Sequence, residues 1–390
     1  MSHQLISRSP DLKRLRDEGF DVVIVADHLV VRDVPYVTSA RSIKHGILVS
    51  TLHLSGNVTD RPDTHVVYFG GEHPCDLDGK PISQIVHATG RHDLGRGLLV
   101  DHSFSNKPAG GYEDYHAKMT RYIDIISAPA QAIDPNVTAR THPVIECSED
   151  ESVFMYMDTA SSRAEIGVVN DQLRIARLAI LGAGGTGSYV LDLVAKTPVG
   201  EIHLYDVDVF SQHNAFRSPG APSVAELREK PLKVDYLGRQ YSKMHRHIVA
   251  HGYAVTDENV HELEGMDFVF ICIDKAAAKE RIVEKLEDLG VPFVDVGMGI
   301  HLSDGSLAGL LKVTTSTPTK RDHFRVRVSF TEGGNNEYER NIQVADLNAL
   351  NAALAVIKWK KLFGFYLDQE REHCTLYAIA GNTLINEDVA

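Results

Sequence analysis

The sequence predicts an α/β protein: a nucleotide-binding domain with a mainly parallel sheet at residues 146–390, preceded by a smaller α+β domain at residues 1–145. Three observations carry this. The apolar run Leu178-Ala179-Ile180-Leu181 reads as a strand buried on both faces and runs straight into Gly182-Ala183-Gly184-Gly185-Thr186-Gly187-Ser188. A helical pattern through Tyr189, Leu191, Val194 and Ala195 follows, then a second strand at 201–205 ending on Asp206 and Asp208. Further downstream, buried strands alternate with helices, as a parallel sheet requires.

The chain has 390 residues, enough for two or three cores. With 43% hydrophobic and 24% charged residues it has the composition of a soluble globular protein. No window approaches the roughly 20 apolar residues of a membrane-spanning helix, and the first residues lack the apolar core of a signal peptide. A net charge of −13 argues against a general nucleic-acid or anionic-membrane binder. Cys75, Cys147, Cys272 and Cys374 form no CxxC pair, which excludes a zinc ribbon and fits a reducing, cytoplasmic setting.

In chain order, Ser9 caps a helix that begins at Pro10, carries Leu12 and Leu15 on one face and stops at Gly19. A hairpin at 20–25 and 28–34 turns on Ala26-Asp27, and strands follow at 46–52 and 65–69. Residues 112–126 form an amphipathic helix, and Pro129, Pro135 and Pro143 mark a linker. Beyond the βαβ core, a loop and helix occupy 224–244 and a strand lies near 251–255. His245, His247 and His251 fall between them; His247 and His251 are one helical turn apart, read as a solvated helix face rather than a metal pair. A buried strand at 266–273, a helix at 276–289 and a strand at 291–296 ending in Gly297-Met298-Gly299 continue the alternation. Strands at 310–316 and 324–330, a long apolar helix at 345–363 and a short strand at 374–379 complete the chain.

Gly182, Gly184 and Gly187 fit GxGxxG, with Asp206 where a dinucleotide enzyme keeps its ribose acid. An NAD-dependent oxidoreductase is therefore one reading. It leaves Gly185, Asp208, Asn214, Arg217 and Lys233 unexplained.

Gly-x-Gly-Gly-x-Gly-Ser, then Asp206-x-Asp208, then Asn214-x-x-Arg217, resembles the ThiF/MoeB/ubiquitin-activating superfamily over roughly residues 155–390. The resemblance implies a Rossmann-like adenylation domain of the bacterial type with an additional N-terminal domain. It also implies ATP-dependent adenylation of the C-terminal carboxylate of a ubiquitin-like protein, release of pyrophosphate, Mg²⁺, a homodimer and a possible conjugating partner. Carried over residue by residue, Gly182, Gly184, Gly185, Gly187, Asp206, Asp208 and Asn214 belong to the nucleotide site. Arg217 and Lys233 neutralise phosphates, Asp274 holds Mg²⁺, and Arg163 reaches across the dimer. Arg281 is an alternative charged helper.

The chemistry accounts for these residue types. A carboxylate attacking the α-phosphate of ATP approaches a group that is itself negative, so cations must offset the charge. A small-molecule adenylating enzyme on the same fold is a further alternative. Ser218 and Lys275 stand where the family commonly has glutamine and asparagine. No cysteine occurs in 304–336, where members that form a thioester usually carry one. Cys272 reads as core; Cys75, in His73-Pro74-Cys75, and Cys374 are the remaining thioester candidates. The N-terminal domain offers no motif with a chemistry of its own and is expected to recruit the substrate or a conjugating partner.

Overall fold

The computed structural model describes residues 2–274, 276–330 and 342–389, so Lys275 lies outside the described residues. The chain divides into two compact units, Met1–Ile145 and Glu146–Ala390.

In the first unit, helices α1 (Ser2–Arg8) and α2 (Pro10–Asp17) precede an antiparallel sheet. Its strands are β1 (Asp21–Val25), β2 (His28–Val37), β3 (Ile43–Thr51), β6 (Val66–Gly70), β7 (Val86–Asp93) and β8 (Leu99–Ser105), in the order β1-β2-β3-β6-β8-β7. A small ribbon, β4 (Leu54–Ser55) with β5 (Val58–Thr59), interrupts it. Helix α3 (Tyr115–Ile133) packs Met119, Tyr122 and Ile126 with Leu12 and Leu15 of α2 against Leu29 and Val31 of β2. Two expectations are corrected. Pro129 sits inside α3 rather than in a linker, and two strands are added: β7, exposed nearly along its length with no apolar face, and β8, whose buried residues include the polar His102 and Ser103. The Ser9 side chain makes no cap hydrogen bond; its hydroxyl accepts from the Thr59 amide at 3.0 Å.

The second unit opens with short helices α4 (Thr159–Arg163) and α5 (Gly167–Asn170). Its core elements are β9 (Arg177–Leu181), α6 (Gly185–Val194) and β10 (Glu201–Tyr205), then α7 (Gln212–Ala215), α8 (Val224–Glu229), α9 (Lys233–Tyr241) and β11 (Ile248–His251). Next come β12 (Phe268–Ile271), α10 (Ala276–Leu289), β13 (Phe293–Ser303), β14 (Ser306–Ser316) and α11 (Phe324–Arg327). The unit closes with α12 (Ala345–Leu362), β15 (Cys374–Ala378) and β16 (Thr383–Glu387). The strand order is β11-β10-β9-β12-β13-β14-β15-β16. Pairings from β11 through β13 are parallel and those from β13 to β16 antiparallel.

Strand β9 is covered on both sides, which is why it reads as an unbroken apolar run. Leu178 and Ile180 face Val190, Leu191 and Val194 of α6 and Val356 and Trp359 of α12. Ala179 and Leu181 face Ile282, Val283 and Leu286 of α10.

Several local expectations give way. The 224–244 helix is two, because Lys230 takes a left-handed conformation (φ 49°) before Pro231. β13 runs on through Gly297–Gly299 as a hairpin with β14 over an Asp304-Gly305 turn, both residues at positive φ. Residues Phe324–Arg327 are a helical turn, not a strand, burying Phe324 on Phe293. His245 is buried and bonds the Val199 carbonyl at 2.9 Å, while His251 lies in β11, so the histidines share no helix face.

Candidate functional site

Strand order reverses direction about β9, with β10 on one side and β12 on the other. That geometry opens a crevice beyond the strands' carboxyl ends, where open α/β sheets bind ligands. A cavity of about 310 Å³ lies there, within the size range of small-molecule sites. It is lined by the glycine turn, Asp206, Asp208, Arg217, Lys233 and Asp274.

The glycine turn is shaped by close approach. Gly182 adopts φ +94°, and a Cβ there would lie 2.5 Å from the Cys272 carbonyl of the neighbouring strand's end. Gly184 is the N-cap of α6, and a Cβ on it would point into open space, so ligand can approach the first amides of that helix. Gly187 does not line the cavity; a Cβ there would collide with the Gly182 carbonyl, making it a packing glycine.

Asp206 works as a hub. Its Oδ2 accepts the Ala183 amide at 2.8 Å, fixing the glycine turn to the end of β10. Its Oδ1 accepts the Asp208 amide at 2.8 Å and lies 3.4 Å from Lys233 Nζ. Lys233, the first residue of α9, is nearly buried and pairs more closely with Asp208 at 2.6 Å. Oδ1 thus accepts twice and Oδ2 once, which leaves Asp206 one lone pair on Oδ2 and a second on Oδ1 whenever Lys233 turns away.

Arg217 follows α7 on a turn built by Asn214. Ser211 and Asn214 form a capping box, with the Ser211 amide donating to Asn214 Oδ1 at 2.8 Å. The Asn214 carbonyl accepts from the Arg217 amide at 3.1 Å and the Ser218 hydroxyl at 2.6 Å. Asn214 therefore does not line the cavity; it shapes the turn that presents Arg217. Arg217 Nε is buried with no hydrogen-bond partner among the described residues, an orphaned donor on a cation that lines the cavity.

Asp274 emerges exposed after β12 and completes a lining of three carboxylates and two cations. A polyanion entering such a site needs added positive charge, and the oxygen-only acidic donors suit Mg²⁺. The fit to ATP·Mg²⁺ therefore rests on the orphaned Arg217 donor, the open glycine turn and this charge balance.

Other candidates fall elsewhere. Arg163 ends α4 and is not among the residues lining the cavity. Arg281 is exposed and pairs with Glu284 at 3.0 Å and Asp257 at 3.7 Å. Cys75 is buried, its thiol donating to the His73 carbonyl at 3.2 Å, and burial pushes its pKa up rather than down. Burial does the same to Cys374 and Cys272. Among the described residues, Cys374, Glu387 and Asp388 come within metal-ligating reach of one another, but Arg327 pairs with both acids and satisfies their charge.

Helix α12 supplies residues the sequence reading missed. Asn348 and Asn351 are buried in the N-terminal half of α12, and Asn351 lines the cavity. Asn351 Nδ2 donates to the Gly297 carbonyl at 3.1 Å, while its Oδ1 is buried without a partner. The sequence of α12 alone holds no signal that singles them out.

Residues 160–346 match the ThiF family model, and residues 10–159 match a model described as Domain of unknown function (DUF6791). None of the curated proteins compared with the chain matches it. Among solved structures, PaaA is 16% identical with a TM-score of 0.44, covering 57% of this chain and 76% of that one. MccB of E. coli with MccA-N7isoASN is 18% identical with a TM-score of 0.45, covering 59% and 68%. The E. coli MccB structure with ATP is 17% identical with a TM-score of 0.46, covering 59% and 68%.

Proposed function

With a ThiF family domain at residues 160–346 as the premise, we propose that this protein binds ATP·Mg²⁺ and adenylates the C-terminal carboxylate of a ubiquitin-like protein, releasing pyrophosphate. The observation that carries the reading is Arg217, whose buried Nε is unpartnered in the cavity that the glycine turn opens onto.

In this reading the first amides of α6 and the bare backbone at Gly184 and Gly185 receive phosphate oxygens. Asp206 accepts the ribose hydroxyls through its remaining lone pairs, and Asp208 lines the same pocket. Lys233 turns from Asp208 toward phosphate, and Arg217 offers the charge that stabilises the departing pyrophosphate. Asp274 holds Mg²⁺, which when bound supplies neutralisation of the phosphate oxygens. No general base is required, because a carboxylate nucleophile is already ionised near pH 7. The rate gain comes from positioning and charge offset.

The same reading includes a homodimer to which Arg163 contributes across the interface, and an N-terminal unit that recruits the protein substrate or a conjugating partner. Burial of Cys75 and Cys374 favours release of the adenylate without a thioester on either cysteine.

Pyrophosphate exchange into ATP, run with each small glycine-terminated protein encoded beside the gene, tests the reading. Exchange that depends on one such protein and on its free C-terminal carboxylate is expected. Exchange with a small-molecule acid but with none of these proteins would reassign the substrate class.

A further inference from the structure

Asn348 sits in the first turns of α12 and is fully buried. Its Nδ2 donates to the Arg217 carbonyl at 3.1 Å, and its Oδ1 accepts the Thr186 hydroxyl at 3.2 Å. The amide's orientation is forced, since a carbonyl only accepts and nitrogen must face it. One side chain thus joins the Arg217 turn to the first turn of α6, segments far apart in sequence. It also fills the space a Cβ on Gly185 would occupy, so the glycine turn and α12 interlock.

The Arg217 amide is already held by the Asn214 carbonyl. With Asn348 on its carbonyl, both backbone polar groups of Arg217 are anchored, and only its side chain is left to move. One turn further along the helix, Asn351 ties the Gly297 carbonyl of β13 to the same scaffold.

Resting on the nucleotide reading above, we propose that Asn348 is a positioning residue that acts through Arg217, setting the arginine's distance from the phosphate-binding turn. Asn348 is absent from the cavity lining, so its effect on nucleotide must pass through the residues it holds. A buried asparagine that merely filled space would affect stability without regard to Arg217. A positioning residue makes its effect on nucleotide binding conditional on Arg217 being present.

The test is a double-mutant cycle on ATP·Mg²⁺ affinity, measured by calorimetry on the full chain. Asn348→Leu keeps the branched heavy-atom shape, though with more bulk, and removes both hydrogen bonds; about tenfold weaker binding is expected. Arg217→Ala is expected to cost about a hundredfold, and the double variant to bind no worse than Arg217→Ala alone. In a Lys233→Met background the Asn348→Leu loss should persist in full. Multiplying losses in the Arg217 cycle, or no loss from Asn348→Leu, overturns the inference. Should Asn348→Leu fail to fold, Asn348→Ala, which removes both hydrogen bonds without adding bulk, must show the same dependence on Arg217. A wild-type protein that binds no ATP overturns the nucleotide reading and this inference with it; additive losses overturn the inference alone.

Discussion

Replacing Lys233 with methionine separates an ion pair from a phosphate ligand. In the free protein Lys233 Nζ lies 2.6 Å from Asp208 and 3.4 Å from Asp206, with the lysine and Asp206 side chains each 9% exposed and Asp208 65% exposed. Removing one partner of a fully buried pair costs about 3–5 kcal/mol. The exposed Asp208 lowers this to about 2 kcal/mol, a fall of about 4–8 °C in the midpoint of this unit's melt. For nucleotide, a lost charge-assisted hydrogen bond corresponds to about 1.5–3 kcal/mol, or about 10–150-fold in affinity. Adding Asp208→Asn to Lys233→Met removes the exposed uncompensated acid. If Lys233 serves phosphate, the double variant recovers part of the melting temperature, the buried Asp206 staying unpaired, but not ATP affinity, read by calorimetry with Mg²⁺ present. Full recovery of ATP affinity in the double variant would show that Lys233 only neutralises Asp208, and the assignment would be wrong.

Arg217→Ala and Asp274→Ala should each abolish ATP–pyrophosphate exchange while far-UV circular dichroism stays native; wild-type exchange in either removes that residue from the site. In the N-terminal unit, Lys118 is buried, donating to Ser50 Oγ at 2.8 Å and the Thr64 carbonyl at 2.7 Å, and burial lowers its pKa to about 8. Its unfolded-state pKa is higher, so the unfolded chain binds more protons and stability rises with pH between about 8 and 10.4. Below that window the lysine costs about 3 kcal/mol, which Lys118→Met should recover; denaturation curves at pH 7 and pH 10 that shift identically in both proteins would refute this. Cys75 and Cys374 should alkylate with iodoacetamide only as fast as the protein unfolds, because both are buried with raised pKa values; rapid native-state labelling of either would reopen the thioester question.

What was legible in the sequence is what backbone geometry dictates. Gly182 and Gly187 must lack side chains because neighbouring carbonyls occupy that space, and β9 must be wholly apolar because helices cover both faces. The acids Asp206, Asp208 and Asp274 are placed by strand ends, so spacing along the chain located them beside one cavity. Residues whose work is to hold other residues were not legible. Asn214 reads as a ligand donor from its place in the motif; what its place in the motif does not show is that its oxygens accept from the Ser211, Arg217 and Ser218 groups and shape the turn that presents Arg217. Asn348 and Asn351 give no signal in the sequence of α12 unless their partners, 131 and 54 residues away, are known. The histidines at 245–251 differ for another reason: their spacing fits a helical turn, whereas only His251 lies in a strand, β11, and His245 and His247 precede it.

Calorimetric titration of the purified full chain with ATP·Mg²⁺ and, separately, with NAD tests the central claim most directly. Saturable ATP binding near one site per chain, weakened by Arg217→Ala, with no measurable NAD binding, is the expected result. NAD binding that survives Arg217→Ala, with ATP failing to bind, would contradict it.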